Sequence, residues 1–160
     1  MTFQELKHIG RFYRGDVFEM KIYTIGFTKK TLEDFITRLK KSNVQRIVDI
    51  RLNNSSQLAG FAKSPDLEFI LEQFGIEYIH VKNLAPDKAL LDKYKKDKNW
   101  EEYEANFKVL MNTRNAKKTL SDLQLDKKIS CFLCSEDKPD KCHRRLVAEM
   151  LDKNFEIVHL

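Results

Sequence analysis

The sequence predicts an α/β fold, a single three-layer domain in which a mostly parallel sheet of about five strands is flanked by helices. Short runs rich in Ile, Val and Tyr alternate with longer segments whose apolar residues recur at helical spacing. Such alternation requires crossover connections, and crossover connections join parallel strands. The length of 160 residues, with no repeat and no low-complexity linker, suits one domain.

The first half of the domain is predicted to contain three strands, at residues 21–26, 46–51 and 77–81. A helix between the first two has one apolar face, formed by Leu32, Phe35, Ile36 and Leu39. The next helix is predicted to start at Ser64-Pro65-Asp66, with Ser as N-cap, Pro in the first turn and Asp at the positive end of the dipole. Gly75 is typical of the position that ends a helix.

In the second half, a helical stretch leads past Trp100 into a longer helix with Tyr103, Phe107, Leu110 and Met111 on one face. A fourth strand is predicted at 128–133, followed by a charged loop at 135–141. A helix from about Cys142 and a last strand at 156–160 complete the domain.

Residues 1–19 are predicted to be an N-terminal extension of uncertain order, and residues 20–160 the α/β domain. Gly10 and Gly15 interrupt this segment, in which polar and aromatic residues mix without the regular spacing of a helix or a strand. Met20 directly precedes the first strong strand and is a plausible alternative start.

The composition is that of a globular, cytoplasmic protein, with 42% hydrophobic and 33% charged residues. No apolar run approaches the roughly 20 residues that a membrane helix needs, and no secretory signal is recognisable. In a reducing compartment, three cysteines indicate metal binding, catalysis or core packing rather than disulfides. The net charge of +5 favours an anionic partner, although scattered lysines also serve simply to keep a surface soluble.

Ligand sites of open parallel sheets lie beyond the carboxyl ends of the strands. The groups expected at that edge are Thr24 to Thr28, Asp49-Ile50-Arg51, Cys134-Ser135-Glu136 and Cys142-His143-Arg144. Asp49 and Arg51 are two residues apart on a strand, so their side chains face the same way. They form either a structural ion pair or a site in which Arg51 clamps an anion while Asp49 orients it or acts as a base.

The three cysteines are expected to differ in role. Cys142 begins a helix among cationic neighbours, which predicts a thiol pKa below the free value of about 8.5 and an anion-binding turn. Cys131 lies within an apolar strand and is predicted to be a core residue. A zinc site made of Cys131, Cys134, Cys142 and His143 is the alternative, but residues three apart on a strand face opposite ways.

A cluster of basic residues falls in loops or helix starts at the same predicted edge, which favours a phosphate-bearing ligand. Its members are Lys29, Lys30, Arg51, Lys63, Lys138, Lys141, Arg144 and Arg145.

Taken in order, these motifs resemble the family called domain of unknown function 488. The resemblance spans about residues 21–160 and is carried by Thr24-Ile25-Gly26, Asp49-Ile50-Arg51, Ser56, Phe61, Gly75-Ile76-Glu77-Tyr78, Leu133-Cys134-x-Glu136, Cys142-His143-Arg144 and His159. It implies a compact α/β domain in the cytoplasm of bacteria or archaea, and it implies no particular reaction. Phe27 and Thr28 stand where the family commonly has His and Ser, and Asn54 and Gln57 where it often has Pro and Arg.

The favoured function is an enzyme acting on a phosphate-containing substrate, either a nucleotide or a nucleic acid, at the carboxyl edge of the sheet. Its candidate catalytic residues are Cys142, Glu136 and Asp49; its candidate binding residues are Arg51, Arg144, His143, Cys134, Thr24, Gly26, Thr28 and Ser56. No cofactor and no membrane partner is predicted. The alternatives are a non-catalytic nucleic-acid or regulatory binding module and a small metal-binding domain using Cys and His, with zinc as its ion.

Overall fold

The structure, a computed structural model, describes residues 11–14 and 17–160. Of the predicted extension, residues 1–10, 15 and 16 lie outside the described residues. The strands are β1 (Arg11–Arg14), β2 (Val17–Gly26), β3 (Arg46–Asp49), β4 (Glu77–His80), β5 (Ser130–Cys134) and β6 (Phe155–His159). The helices are α1 (Leu32–Lys41), α2 (Asp66–Gln73), α3 (Lys88–Asp97), α4 (Trp100–Thr113), α5 (Ala116–Asp122) and α6 (His143–Ala148). Within this part of the chain, no helix is long and apolar enough to cross a membrane.

The strands form one mostly parallel sheet, as predicted. Five strands run parallel in the order β6-β2-β5-β3-β4. Strand β1 pairs antiparallel with the start of β2. Because β5 lies between β2 and β3, its carboxyl end, at Cys134, occupies the centre of the edge where the sequence predicts the site.

The two faces of the sheet pack into separate apolar clusters, which makes the domain three-layered. One cluster contains Ile47 and Cys131 with the buried side chains of α1 and α2. The other contains Val48 and Phe132 with those of α4, α5 and α6. Strand alternation places Cys131 in the core with 0% exposure, which confirms its predicted role.

Several element boundaries differ from the predicted ones. Strand β2 begins at Val17, because residues 17–20 pair with β1. The predicted N-cap at Ser64 is wrong: α2 begins at Asp66 with Pro65 before it, and the Ser64 N–H donates to the Asn54 carbonyl at 2.7 Å. Gly75 follows α2 with φ of 70°, as a residue ending a helix should.

Candidate functional site

A pocket of about 450 Å³ opens at the carboxyl ends of β3 and β5. Five of the candidate catalytic and binding residues line it, namely Arg51, Cys134, Glu136, Cys142 and His143. Loop residues Leu52, Asn53, Pro86, Ser135 and Lys141, and helix residues Lys88, Leu91, Asp92, Tyr94, Lys95, Trp100 and Tyr103, complete the lining. The parallel sheet thus brings together groups that are far apart in sequence.

Two cysteine thiols meet at this pocket. The Cys142 thiol donates a hydrogen bond to the sulfur of Cys134, and this bond is the largest influence lowering the pKa of Cys134. Hydrogen bonds from the backbone N–H groups of Ser135 and Glu136 and the charge of Arg144 lower it further, against the opposing effect of burial. Cys134 is therefore the thiol that ionises first.

The expectation that Cys142 carries the depressed pKa is wrong. The pKa of Cys142 is raised well above its ordinary value, because its proton is held in the hydrogen bond to Cys134 and because it is buried. Cys142 directly precedes α6 with extended φ and ψ and makes no side-chain cap. The cationic neighbours are present, but the shared proton outweighs them.

His143 lies against the Cys134 sulfur with its ring held in place. The Nε2–H donates to the carbonyl oxygen of Ile50 at 2.8 Å, so Nδ1 is the nitrogen with a free lone pair. The Cys134 sulfur lies 3.5 Å from Nδ1 and 3.7 Å from Nε2. Because Nε2 is bonded to Ile50, Nδ1 is the ring nitrogen available to the Cys134 thiol.

Cys134, Cys142 and His143 also form a group with the chemistry of metal ligands, since one ligand atom of each lies within 4.8 Å of the others. Coordination by a histidine requires the metal to lie along a ring lone pair. The bond from Nε2 to the Ile50 carbonyl leaves Nδ1 as the ring nitrogen that faces the two cysteines, an arrangement also found in histidine metal ligands.

Asp49 and Arg51 form a buried ion pair beside the pocket. The Arg51 Nε and Nη2 atoms donate to the two Asp49 carboxylate oxygens at 2.9 and 2.6 Å, and Nη2 also donates to the Ala62 carbonyl at 2.8 Å. The Tyr78 hydroxyl donates to Asp49 at 2.6 Å, and burial together with this bond raises the pKa of Tyr78 to about 12. Nε and Nη2 are used in these bonds, which leaves Nη1 alone for an anion and favours the structural ion pair over an anion clamp.

Arg144 is fully buried and fastens the loop after β5 to β2. Its guanidinium donates to the carbonyls of Glu136 and Asp137, and its Nε donates to the Thr24 hydroxyl at 3.3 Å. The hydroxyl also shares a hydrogen bond with Nδ1 of His159 at 2.6 Å, and burial and the charge of Arg144 lower the pKa of that histidine.

Gly26 allows this loop to lie directly on the sheet. A Cβ atom at Gly26 would be 1.6 Å from the Glu136 carbonyl oxygen and 2.9 Å from Nη1 of Arg144. Only a residue without a side chain fits between the strand end and the loop.

Thr28 and Ser56, the remaining predicted binding residues, do not line the pocket. The Thr28 N–H donates to the Ser135 carbonyl at 3.1 Å. The Ser56 hydroxyl accepts from the Leu58 N–H at 3.3 Å, at the start of a short 3₁₀ helix. The observed contacts of Thr28 and Ser56 therefore stabilise the loops in which these residues lie.

An aromatic wall, formed by Tyr94, Trp100 and Tyr103, is the part of the pocket that the sequence did not single out. Helices α3 and α4 supply these rings. Trp100 stacks on Tyr103 with ring centroids 5.1 Å apart, and Tyr94 lies 5.0 Å from Tyr103. In the sequence, Trp100 and Tyr103 are indistinguishable from core aromatics at helical spacing, and Tyr94 lies in a lysine-rich run typical of a solvated surface.

Lysines at the pocket mouth differ in how far their charge is neutralised. Lys88 pairs with Asp92 at 3.1 Å, and Lys95 lies 4.0 Å from the same carboxylate. Lys141 is exposed, lines the pocket and has no ion pair with any described residue. The mouth therefore offers a cation to an anionic group.

The predicted basic cluster does not act as one cationic surface. Lys30 pairs with Asp137, Lys63 with Asp66, and Arg145 with both Glu104 and Glu149. Among the eight basic residues named from the sequence, Arg51 and Lys141 line the pocket.

Fold and site together define an α/β domain with a thiol pair and an aromatic wall in a pocket at the carboxyl edge of a parallel sheet. The family model "Domain of unknown function DUF488" matches residues 31–151, and the chain belongs to this family. Neither a curated protein nor a solved structure gives a significant match.

Proposed function

We propose that this protein is an enzyme that uses Cys134 as a nucleophile on a phosphate-containing substrate of the nucleotide type. The observation that carries the proposal is a thiol of lowered pKa in a pocket that also has an aromatic wall and a lysine, Lys141, without an ion pair to any described residue. A thiolate is the nucleophilic form of cysteine, and a depressed pKa is what makes it available near neutral pH.

The aromatic wall is evidence that one part of the substrate is a planar ring. Base–aromatic stacking contributes about 1–3 kcal/mol per base and tolerates different bases. Trp100 and Tyr94 are only partly buried, so their rings present surface to the pocket.

The charge distribution at the pocket mouth is evidence that the other part of the substrate is a phosphate. Lys141 is the cation at the mouth without an ion pair among the described residues. Lys88 and Lys95 share a single carboxylate, that of Asp92, which leaves excess positive charge on that side. A lysine serves phosphate binding as a mobile point charge.

The reaction consists of two displacements. The Cys134 sulfur forms a bond to the electrophilic atom of the substrate as the bond to the leaving group breaks, and the leaving group takes a proton from solvent. Water then attacks the adduct, gives its proton to the carboxylate of Glu136 and restores the thiolate. Glu136 suits this second step because it lines the pocket and is exposed.

Fluorescence titration tests substrate binding, because Trp100 is the single tryptophan of the chain. The probes are the four common ribonucleoside monophosphates, their nucleosides and inorganic phosphate. At least one monophosphate should quench Trp100, and it should bind more tightly than its nucleoside. Lys141→Ala should weaken the binding of that monophosphate about tenfold, which is the loss expected for one charge-assisted hydrogen bond. It should have little effect on the binding of the nucleoside.

Lys138→Ala is the matched control, since Lys138 is an exposed lysine of the same loop outside the pocket lining. Equal effects of the two variants would contradict a phosphate position at Lys141. Turnover is tested with Cys134→Ser, which should retain binding and release no product. Wild-type protein that binds a monophosphate without turnover would instead establish the non-catalytic binding module.

A further inference from the structure

Cys134 and Cys142 are placed for a second kind of chemistry, which involves both sulfurs. Their Sγ atoms lie within 4.8 Å of each other, and one thiol donates a hydrogen bond to the other. Both residues line the pocket, where Cys134 is 5% and Cys142 2% exposed, so an oxidant that reaches them has to be small. The nucleophilic reaction proposed above uses only one of the two.

We propose that Cys134 and Cys142 form a reversible disulfide when the protein meets a hydroperoxide, so that the pocket is a site of oxidative modification. This inference rests on the proposed function in one respect, the role of Cys134 as the reactive thiol. Oxidation removes the nucleophile, and a dithiol reductant restores it.

Rotation of the two cysteine side chains permits the approach that a disulfide requires. The sulfurs must come to about 2.05 Å, with their Cα atoms about 4.4–6.8 Å apart. Residues 135–141 contain no helix or strand, but Arg144 holds the Glu136 and Asp137 carbonyls, so the sulfurs have to approach each other by rotation of the two cysteine side chains. Cys142 lies before the first residue of α6, and the helix need not unwind to reorient its side chain.

The chemistry balances in two steps. The Cys134 thiolate attacks one oxygen of the hydroperoxide, the O–O bond breaks, and Cys134 becomes a sulfenic acid while the leaving oxygen takes a proton from solvent. Cys142 then attacks that sulfur, the S–S bond forms, and the S–O bond breaks. The departing hydroxide takes the Cys142 proton and leaves as water, so one hydroperoxide accepts two electrons from two thiols.

The surroundings direct oxidation to Cys134. The charge of Arg144 and the backbone N–H groups of Ser135 and Glu136 favour its thiolate. Cys131 faces the opposite apolar cluster with 0% exposure, and burial raises its thiol pKa. Cys131 is therefore a control within the same protein.

The experiment treats the full chain with one equivalent of hydrogen peroxide, blocks free thiols with iodoacetamide and analyses tryptic peptides by mass spectrometry. Cys131 and Cys134 share the peptide 129–141, and Cys142 lies in the peptide 142–144. The expected product is the linked pair of peptides, lighter by two hydrogens. Fragmentation between positions 131 and 134 assigns the bond in wild type, and Cys131→Ala assigns it independently.

Cys142→Ser should accumulate a sulfenic acid at Cys134 that dimedone traps, and Cys134→Ser should lose at least nine-tenths of the oxidation. Dithiothreitol should restore both thiols. A link through Cys131, no oxidation at all, or irreversible oxidation of Cys134 without a link would overturn the proposal. So would one equivalent of bound zinc that abolishes the reactivity of both thiols.

The disulfide is measured without substrate, which separates the two proposals. A linked product in a protein that binds no nucleotide rejects the proposed function alone. Nucleotide turnover without a linked product rejects the disulfide alone.

Discussion

The sulfur of Cys134 lies 3.5 Å from Nδ1 of His143 and 3.7 Å from Nε2. Because the Nε2–H is bonded to the Ile50 carbonyl, Nδ1 is the ring nitrogen left to interact with that sulfur. Cys142 supplies the hydrogen bond that lowers the Cys134 pKa. The two cysteines thus have complementary roles, one as the ionised sulfur and one as its hydrogen-bond donor.

The first prediction concerns the pH dependence of alkylation at Cys134. Its lowered pKa means that reactivity is present from a lower pH than for a free thiol and is lost as the pH falls through the lowered value. The groups facing the sulfur are Cys142, His143, Arg144 and Tyr103. Cys142→Ala removes the largest stabilising contact and should move the profile to higher pH.

Site-resolved mass spectrometry of iodoacetamide-treated protein measures this profile. Cys131→Ala is the control, because Cys131 lies in the opposite apolar cluster and does not contact the pair. Identical profiles for wild type and Cys142→Ala would show that the hydrogen bond does not set the pKa.

The second prediction concerns the ion pair of Asp49 and Arg51. Removing one partner of a buried pair leaves an uncompensated charge and should cost about 3–5 kcal/mol of unfolding free energy in Asp49→Asn or Arg51→Met. The double variant should be less destabilised than the sum of the two single variants. Urea unfolding of all four proteins gives the coupling energy.

Arg38→Ala serves as the control, since its pair with Asp34 lies on the surface and is worth about 0.5 kcal/mol. If the single variants at Asp49 and Arg51 cost no more than Arg38→Ala, the pair does not hold the fold. Arg51 would then be free for the anion-binding role that the sequence suggested.

The third prediction concerns Gly26. In Gly26→Ala the new Cβ would meet the Glu136 carbonyl at 1.6 Å, so the loop after β5 has to move. We expect a loss of about 3 kcal/mol, at the upper end for overpacking, and slower alkylation of Cys134. Chemical unfolding and the alkylation rate measure the two effects.

Gly75→Ala is the control for Gly26→Ala, because Gly75 has a φ of 70° and no neighbouring atom within 4 Å of where a Cβ would lie. That variant should cost only about 1 kcal/mol, the penalty of a left-handed conformation, and leave Cys134 reactivity unchanged. Equal effects of the two substitutions would contradict the close approach at Gly26.

The sequence predicted the sheet and the edge of the site because strand alternation and the carboxyl-end rule depend on local patterns. It also placed Cys131 in the core, since its neighbours are apolar. It misassigned the depressed pKa to Cys142, because the flanking cations are visible in the sequence whereas the hydrogen bond to Cys134 depends on tertiary contact.

The aromatic wall could not be predicted for a related reason. Tyr94 lies in a lysine-rich stretch that reads as a solvated surface, and Trp100 and Tyr103 have the spacing of a helix core. Whether such rings are covered depends on where α3 and α4 pack relative to the sheet. Strand order and helix placement are long-range properties that periodicity does not encode.

The most direct test of the central claim is the rate of iodoacetamide modification at each cysteine near neutral pH, with and without the monophosphate that quenches Trp100 most strongly. The account predicts that Cys134 reacts first, Cys142 more slowly and Cys131 least, and that the monophosphate slows Cys134 at least tenfold. Faster reaction at Cys142, or a Cys134 rate that the monophosphate leaves unchanged, would contradict it.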